Sequence, residues 1–102
     1  MDASSRLFRA LADHTRRRIL ERLVAGPAAP GELAQRLGLP RVNISHHLGV
    51  LAEAGLIEQR RKHAAVRPEA LTALRRYFDQ ALTVAAIAVA DLSPPVSDVT
   101  QR

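Results

Sequence analysis

The sequence predicts a small, mostly α-helical domain with one short β-hairpin. Apolar residues recur every three or four positions through most of the chain, glycine- and proline-containing turns divide the first half into short helices, and a basic turn separates two short extended segments before a long final helix. The chain has 102 residues, 47% of them hydrophobic and none of them cysteine. These features predict one domain without disulfides or thiolate metal sites.

The charge balance and the aromatic content limit the classes of partner. Fifteen Lys and Arg against ten Asp and Glu give a net charge of +5, whereas aromatic residues make up only 3% of the chain and tryptophan is absent. The basic balance is compatible with a polyanionic partner, and the low aromatic content argues against a stacking platform for single-stranded nucleic acid. No apolar run is long enough for a membrane span and no signal peptide is recognisable, so we expect a cytoplasmic protein without a membrane partner.

Four helices are expected in the first half of the chain. Their predicted bounds are residue 5 to near Asp13, Asp13 to Gly26, Glu32 to Leu37, and about Arg41 to Ala54. Asp13 has the short oxygen-bearing side chain of an N-cap, and Gly26 and Pro27 together end the second helix. The turn from Gly38 to Pro40 separates the third helix from the fourth.

A hairpin and a long helix are expected in the second half. Residues 56–60 and 64–67 predict two short strands around a basic turn, and Pro68 begins a helix that continues to about Leu92. From Ala81 to Ala90 this helix is apolar nearly all round, which requires a partner on more than one side. The predicted domain therefore covers residues 5–92, and residues 93–102 are expected to form a disordered tail.

Two short helices around a glycine turn, followed by a basic hairpin, predict a winged helix-turn-helix, in which the fourth helix can enter a major groove. The segments Gly31 to Leu39, Asn43 to Leu51 and Ala54 to Ile57, with the opening at residues 7–20, resemble the ArsR/SmtB family of bacterial repressors. The resemblance implies a homodimer that binds an inverted-repeat operator in double-stranded DNA and responds to a metal or another signal. It also implies a dimer interface built by the first and last helices, for which the residues are Leu7, Leu11, Leu82, Val84, Ile87 and Val89.

Two groups of residues are candidates for DNA contacts. The fourth helix places one group on the face opposite Ile44, Leu48 and Leu51, where side chains reach base edges. These candidates are Arg41, Asn43, Ser45 and His46. The second group consists of basic residues suited to the DNA backbone. These are Arg16, Arg17, Arg60, Arg61 and Lys62.

The sensing input cannot be chosen from the sequence. The cysteine site of the resembled family is absent, and the last helix has no histidine for the family's second common site. Weak candidates for a metal remain in Asp13, His14 and His63, which would suit Ni, Co or Zn through His and carboxylate ligands. His47 lies on the buried side of the fourth helix and is expected to be a hydrogen-bonded core residue. The open alternatives are a metal, another ligand and a separate co-regulator protein.

Two other functions compete with operator binding. An enzyme is disfavoured because the chain has no cysteine nucleophile and no glycine-rich phosphate loop, and Ser45 with His46 lies on one helix without a cleft. A winged helix that serves as a protein-interaction module without specific DNA binding is the stronger rival, because a fold does not determine its function.

Overall fold

The computed structural model describes residues 1–92 and contains five helices and a two-stranded antiparallel hairpin. In chain order the elements are α1 (Ala3–Leu11), α2 (His14–Val24), α3 (Pro30–Leu37), α4 (Arg41–Glu53), β1 (Ile57–Gln59), β2 (Ala64–Val66) and α5 (Pro68–Leu92). The predicted fold class is confirmed. The predicted disordered tail, residues 93–102, lies outside the described residues.

Helix ends follow the local chemistry of the sequence, with two corrections. Helix α1 begins at Ala3, two residues earlier than predicted, because the Asp2 carboxylate accepts a hydrogen bond from the Ser5 N–H at 2.8 Å. Asp13 begins α2 as predicted, because its Oδ2 accepts a hydrogen bond from the backbone N–H of Arg16 at 3.0 Å. Helix α3 begins two residues earlier than predicted, since Pro30 occupies the first turn, where its missing N–H costs no helical bond. Gly38, with φ of 69°, ends α3 in the left-handed conformation that favours glycine and so turns the chain toward α4.

One hydrophobic core unites all five helices and the hairpin. Its largest fully buried side chains are Ile19, Leu33, Ile44, Leu48, Leu51, Leu56 and Ile57. No polar or charged side chain of the described residues is buried with them. The inner face of α4 supplies three of these seven residues, so the orientation of α4 is set by apolar burial.

The hairpin is joined to the rest of the fold through β2. Ile57 pairs with Val66 and Gln59 pairs with Ala64, and the turn is closed by a 2.7 Å bond from the Arg60 N–H to the His63 carbonyl. Ala28, in the connector before α3, forms an additional bridge with Ala64 through bonds of 3.1 and 2.8 Å. The sequence did not predict this bridge because a single alanine pair has no periodicity.

Helix α5 is anchored only at its beginning. Ala70 and Leu74 are buried, whereas every residue from 75 to 92 is exposed in the single chain. Phe8 of α1 packs edge to face against Tyr77 and Phe78, with ring centroids 4.8 and 5.6 Å apart. Among the described residues, the second half of α5 therefore remains exposed.

The interface residues predicted on α1 and α5 differ in their surroundings. Leu82, Val84, Ile87 and Val89 are between 59% and 69% exposed. Leu7, by contrast, is only 5% exposed, because it packs in the core of its own chain, and it has almost no surface left for a partner. Leu11 is partly buried against the same core. None of the helices in the described residues is both long enough and apolar enough to cross a bilayer.

Candidate nucleic-acid interface

Helix α4 presents its polar N-terminal half to solvent. Arg41, Asn43, Ser45 and His46 are all exposed, and their side chains make no hydrogen bond within residues 1–92. The helix follows α3 and the Gly38 turn, so it occupies the recognition position of a helix-turn-helix. These four side chains are therefore available to an external partner.

The residues at the centre of the exposed face of α4 are not the same set as the four residues predicted to contact bases. At about 100° per residue, Val42, His46 and Gly49 are the three residues of the segment 41–49 that point farthest from the buried face formed by Ile44, Leu48 and Leu51, and their spacings of four and three place them on one line. Asn43 and Ser45 flank this line on opposite sides, and Arg41 lies nearer the core. A Cβ placed on Gly31 of α3 would lie 3.5 Å from Arg41 Nη1, so the Arg41 guanidinium folds toward the start of α3.

Two residues of this face were not assigned a DNA contact by the sequence analysis. Val42 is 73% exposed at the second position of α4, and Gly49 is exposed with open space around the position of a Cβ. Neither residue type carries a group that bonds to bases or phosphates, so an inventory of polar residues passes over both. Their place on the helical wheel, opposite Ile44 and Leu48, was the available signal.

The hairpin carries its free cations at the turn. Arg61 and Lys62 are exposed and make no hydrogen bond or ion pair within the described part of the chain. Arg60 instead pairs with Glu58, with 3.2 Å between Nη2 and Oε1, and this contact lowers the pKa of the Glu58 carboxyl. The backbone contact predicted for Arg60 would therefore have to compete with a neighbouring carboxylate.

The arginines at the start of α2 have an intramolecular role that the sequence analysis did not foresee. Arg16 Nε donates to the Ala10 carbonyl at 2.6 Å, and Arg16 Nη2 lies 3.4 Å from the Arg9 carbonyl. Arg17 Nη1 donates to the Leu11 carbonyl at 2.7 Å. The carbonyl end of α1 thus compensates the charge of these guanidiniums, because a helix C-terminus carries partial negative charge, and the predicted DNA-backbone contacts of Arg16 and Arg17 would have to compete with it.

Arg16 also contacts the back of α4 through His47. The distance from Arg16 Nη1 to His47 Nδ1 is 3.4 Å, and Asp13 Oδ2 lies 4.0 Å from the same ring nitrogen. Burial lowers the pKa of His47, the nearby charges of Arg16 and His46 lower it further, and Asp13 opposes them. His47 is 16% exposed, in line with its expected buried side, and its neutral ring accepts from Arg16 when Nδ1 carries no proton.

The metal candidates are not brought together as a site. Asp13 uses its carboxylate to cap α2, and the Arg16 N–H bond lowers its pKa, while His14 is exposed and His63 lies on the hairpin turn. No group of three or more His, Cys, Asp or Glu within residues 1–92 is arranged to hold a metal ion. A coordination sphere built from residues 1–92 of one protomer would therefore be incomplete.

These elements define the class of protein, a winged helix-turn-helix domain. Helix α4 is its exposed recognition helix, and the β1–β2 hairpin with its basic turn is its wing. Residues 11–60 match the family model described as a helix-turn-helix domain. The chain is 42% identical over 99 residues to the HTH-type transcriptional regulator Rv2034 of Mycobacterium tuberculosis, covering 93% of this chain and 92% of that protein. It is also 39% identical over 56 residues to the transcriptional repressor SdpR of Bacillus subtilis, covering 55% and 62% respectively.

Solved structures show the same fold. The ArsR family transcriptional regulator RHA00566 superposes with a TM-score of 0.73 at 30% identity, covering 83% of this chain and 98% of that one. A homodimeric winged helix-turn-helix DNA-binding domain from Mycobacterium bovis superposes with a TM-score of 0.65 at 28% identity, covering 83% and 80%. The chain belongs to the ArsR family of winged helix-turn-helix transcriptional regulators.

The low pKa of His47 predicts a stability that depends on pH. Because His47 titrates at the ordinary histidine pKa of 6.5 in the unfolded chain and at a lower pH in the folded chain, the unfolded state binds more protons between these values. Stability is therefore complete above pH 6.5 and declines as the pH falls below it. We expect His47→Gln, whose amide oxygen can still accept from Arg16, to reduce the difference between urea midpoints at pH 7.5 and 5.5. An unchanged difference in His47→Gln would contradict this assignment, and His46→Gln is the matched control.

Proposed function

We propose that the protein is a cytoplasmic homodimeric repressor that binds an inverted-repeat operator in double-stranded DNA. One observation carries the proposal: α4 exposes Arg41, Asn43, Ser45 and His46 with no bonds to the protomer's described residues, in the recognition position of a winged helix-turn-helix. Side chains of these types bond to base edges in the major groove. Membership of a family of transcriptional regulators, with a repressor among the relatives, supports the same conclusion.

Helix α4 and the wing make different contributions to DNA binding. Asn43 can bond to adenine and Arg41 to guanine through paired hydrogen bonds, so α4 supplies sequence discrimination. Arg61 and Lys62 have no partner within the described residues and lie at a turn that suits phosphates or an adjacent minor groove. The wing therefore supplies affinity without sequence information. Of the cations at the start of α2, Arg16 would have to give up its bond to the Ala10 carbonyl or its contact with His47 to reach a phosphate.

The dimer is formed by the apolar surface of α5, with α1 beside it. Exposed side chains at 82, 84, 87, 89 and 92 give one helix more apolar surface than a monomer ordinarily leaves in water. A two-fold dimer places its two recognition helices about 34 Å apart, one turn of the double helix. The homodimeric domain from Mycobacterium bovis supports this assembly.

The signal that releases the repressor comes from a partner protein or a ligand other than a tightly held metal. No metal-binding group is assembled within the described residues, and the Asp13 carboxylate is already occupied as a cap. A coupled metal must contact groups that are arranged differently in two states. His14 and His63, with carboxylate oxygens, are the ligands left for weak binding of Ni, Co or Zn.

Variants of α4 and of the wing should separate sequence readout by the helix from phosphate binding by the wing. Asn43→Ala should lower affinity for an operator upstream of the protein's own gene by about 1–3 kcal/mol per lost base contact, with non-specific binding nearly unchanged. The double variant Arg61→Ala with Lys62→Ala should weaken binding to all DNA and reduce the slope of log K against log salt by roughly one for each lost phosphate contact. Gel retardation at two salt concentrations measures both effects.

Two outcomes would contradict these assignments. If Asn43→Ala and the double wing variant changed specific affinity, non-specific affinity and salt dependence alike, then sequence readout by α4 and phosphate binding by the wing would not be separate. Binding of the wild type to every DNA fragment alike, or to none, would favour the alternative function, a winged-helix protein-interaction module. Arg75→Ala, on the exposed part of α5, is the control for a general loss of positive charge.

Another prediction concerns assembly. Ile87→Glu should dissociate or unfold the protein, because an unpaired charge in an apolar interface costs several kcal/mol, on the order of 3 or more. Ile87→Val, which keeps an apolar side chain, should leave the dimer intact. Sedimentation at micromolar concentration distinguishes the species, and a folded wild-type monomer under these conditions would refute the α5 dimer.

A separate prediction concerns metals. Titration with Ni, Co or Zn should change operator affinity by less than about tenfold, which corresponds to a coupling of about 1.4 kcal/mol. Retardation assays with and without a chelator provide the measurement. A larger shift that disappears in His14→Ala or His63→Ala would identify the chain as a metal sensor.

A further inference from the structure

Two residues on the outermost line of α4 are poor helix formers. Valine loses side-chain freedom in a helix, and glycine loses the most backbone freedom of any residue. Val42 and Gly49 nevertheless occupy this line on either side of His46, at spacings of four and three residues. Both lie opposite the buried Ile44 and Leu48, so packing within the protomer does not explain them.

Gly49 has no structural reason to be glycine within the protomer. Its backbone is ordinary helix, since the glycines with positive φ are Gly26, Gly38 and Gly55. A Cβ added at Gly49 would meet nothing within 4 Å. The fold would accept alanine at this position, so the absence of a side chain serves something outside the protomer.

Val42 is the one exposed residue of α4 with an apolar side chain of more than one carbon. It is 73% exposed, and the residues around it on the outer surface are Arg41, Asn43, Ser45 and His46. A branched apolar side chain surrounded by hydrogen-bonding groups matches the edge of a base pair that offers a methyl group among polar atoms. In the major groove only thymine presents such a methyl group, at C5.

We infer that Val42 packs against the 5-methyl group of one thymine in each operator half-site, and that Gly49 lets this face of α4 lie close to the DNA. This inference rests on the proposed function and adds a residue that determines specificity. The same line on the surface of α4 continues to the exposed Glu53, and DNA phosphates would repel the carboxylate of Glu53. The close contact therefore covers residues 41–49, about two and a half turns of α4, and ends before Glu53.

Replacement of thymine by deoxyuridine tests the contact, because it removes only the methyl group. Operator positions are substituted one at a time after footprinting has defined the half-sites. We expect one thymine per half-site at which the wild type loses about fourfold in affinity, and more than tenfold when both half-sites are changed. In Val42→Ala the same substitution should have little effect. Val24→Ala, which alters another exposed valine on α2, should retain the wild-type loss.

Gly49→Ala tests the close approach independently. The variant should raise the Tm by about 4–8 °C, since alanine favours the helix and meets no neighbour. It should also lower operator affinity by about tenfold, because the added methyl group must displace the helix from the groove. Sedimentation should show the wild-type assembly.

The possible outcomes separate this inference from the proposed function. Specific operator binding that is insensitive to deoxyuridine at every position, or equally sensitive in the wild type and Val42→Ala, would overturn the thymine contact. Unchanged operator affinity in Gly49→Ala, or a lowered Tm, would overturn the close approach. The absence of specific binding by the wild type would overturn the proposed function and this inference with it.

Discussion

The Arg16 guanidinium holds the recognition helix to the beginning of the chain. It bonds to the Ala10 carbonyl at 2.6 Å and lies 3.4 Å from His47 Nδ1, so one side chain joins the end of α1, the start of α2 and the back of α4. A hydrogen bond from a charged donor contributes about 1.5–3 kcal/mol, more than a neutral bond. The angle at which α4 leaves the core depends on this contact as well as on apolar burial.

Asp13 reinforces the same junction. Its carboxylate caps α2 through the Arg16 N–H and lies 4.0 Å from His47 Nδ1. The backbone of Arg16 thus fixes the carboxylate, while the side chain of Arg16 faces the imidazole. Burial lowers the pKa of His47 and so favours the neutral ring, and Nδ1 of the neutral ring accepts from the guanidinium when the ring proton is on Nε2. The inner side of the recognition helix is therefore ordered before any DNA arrives.

The fold was predictable because its information is local. The spacing of Ile44, Leu48 and Leu51, the Asp13 cap and the Gly38 turn each act within a few residues. The Ala28 bridge and the contacts of Arg16 join residues that are far apart in sequence or belong to different helices, and no periodicity reports such pairs. At the candidate interface, residue chemistry alone identified Asn43 and Arg61, whereas Val42 could be found only from its position around the helix.

The wing is held in place because β2 is bonded to the connector before α3, and because the residues that flank the two strands are bonded to each other. Ala64 is bonded in both directions to Ala28, and the Arg67 N–H donates to the Leu56 carbonyl at 2.9 Å. Chain segments that fold only on binding lose conformational entropy at that moment, which weakens association. A wing that is already held in register loses little conformational entropy when it binds. Its two cations, Arg61 and Lys62, therefore stand at a fixed distance from α4. In the proposed DNA complex they would reach phosphates only where the groove width matches that distance, whereas a flexible arm would adapt to different widths.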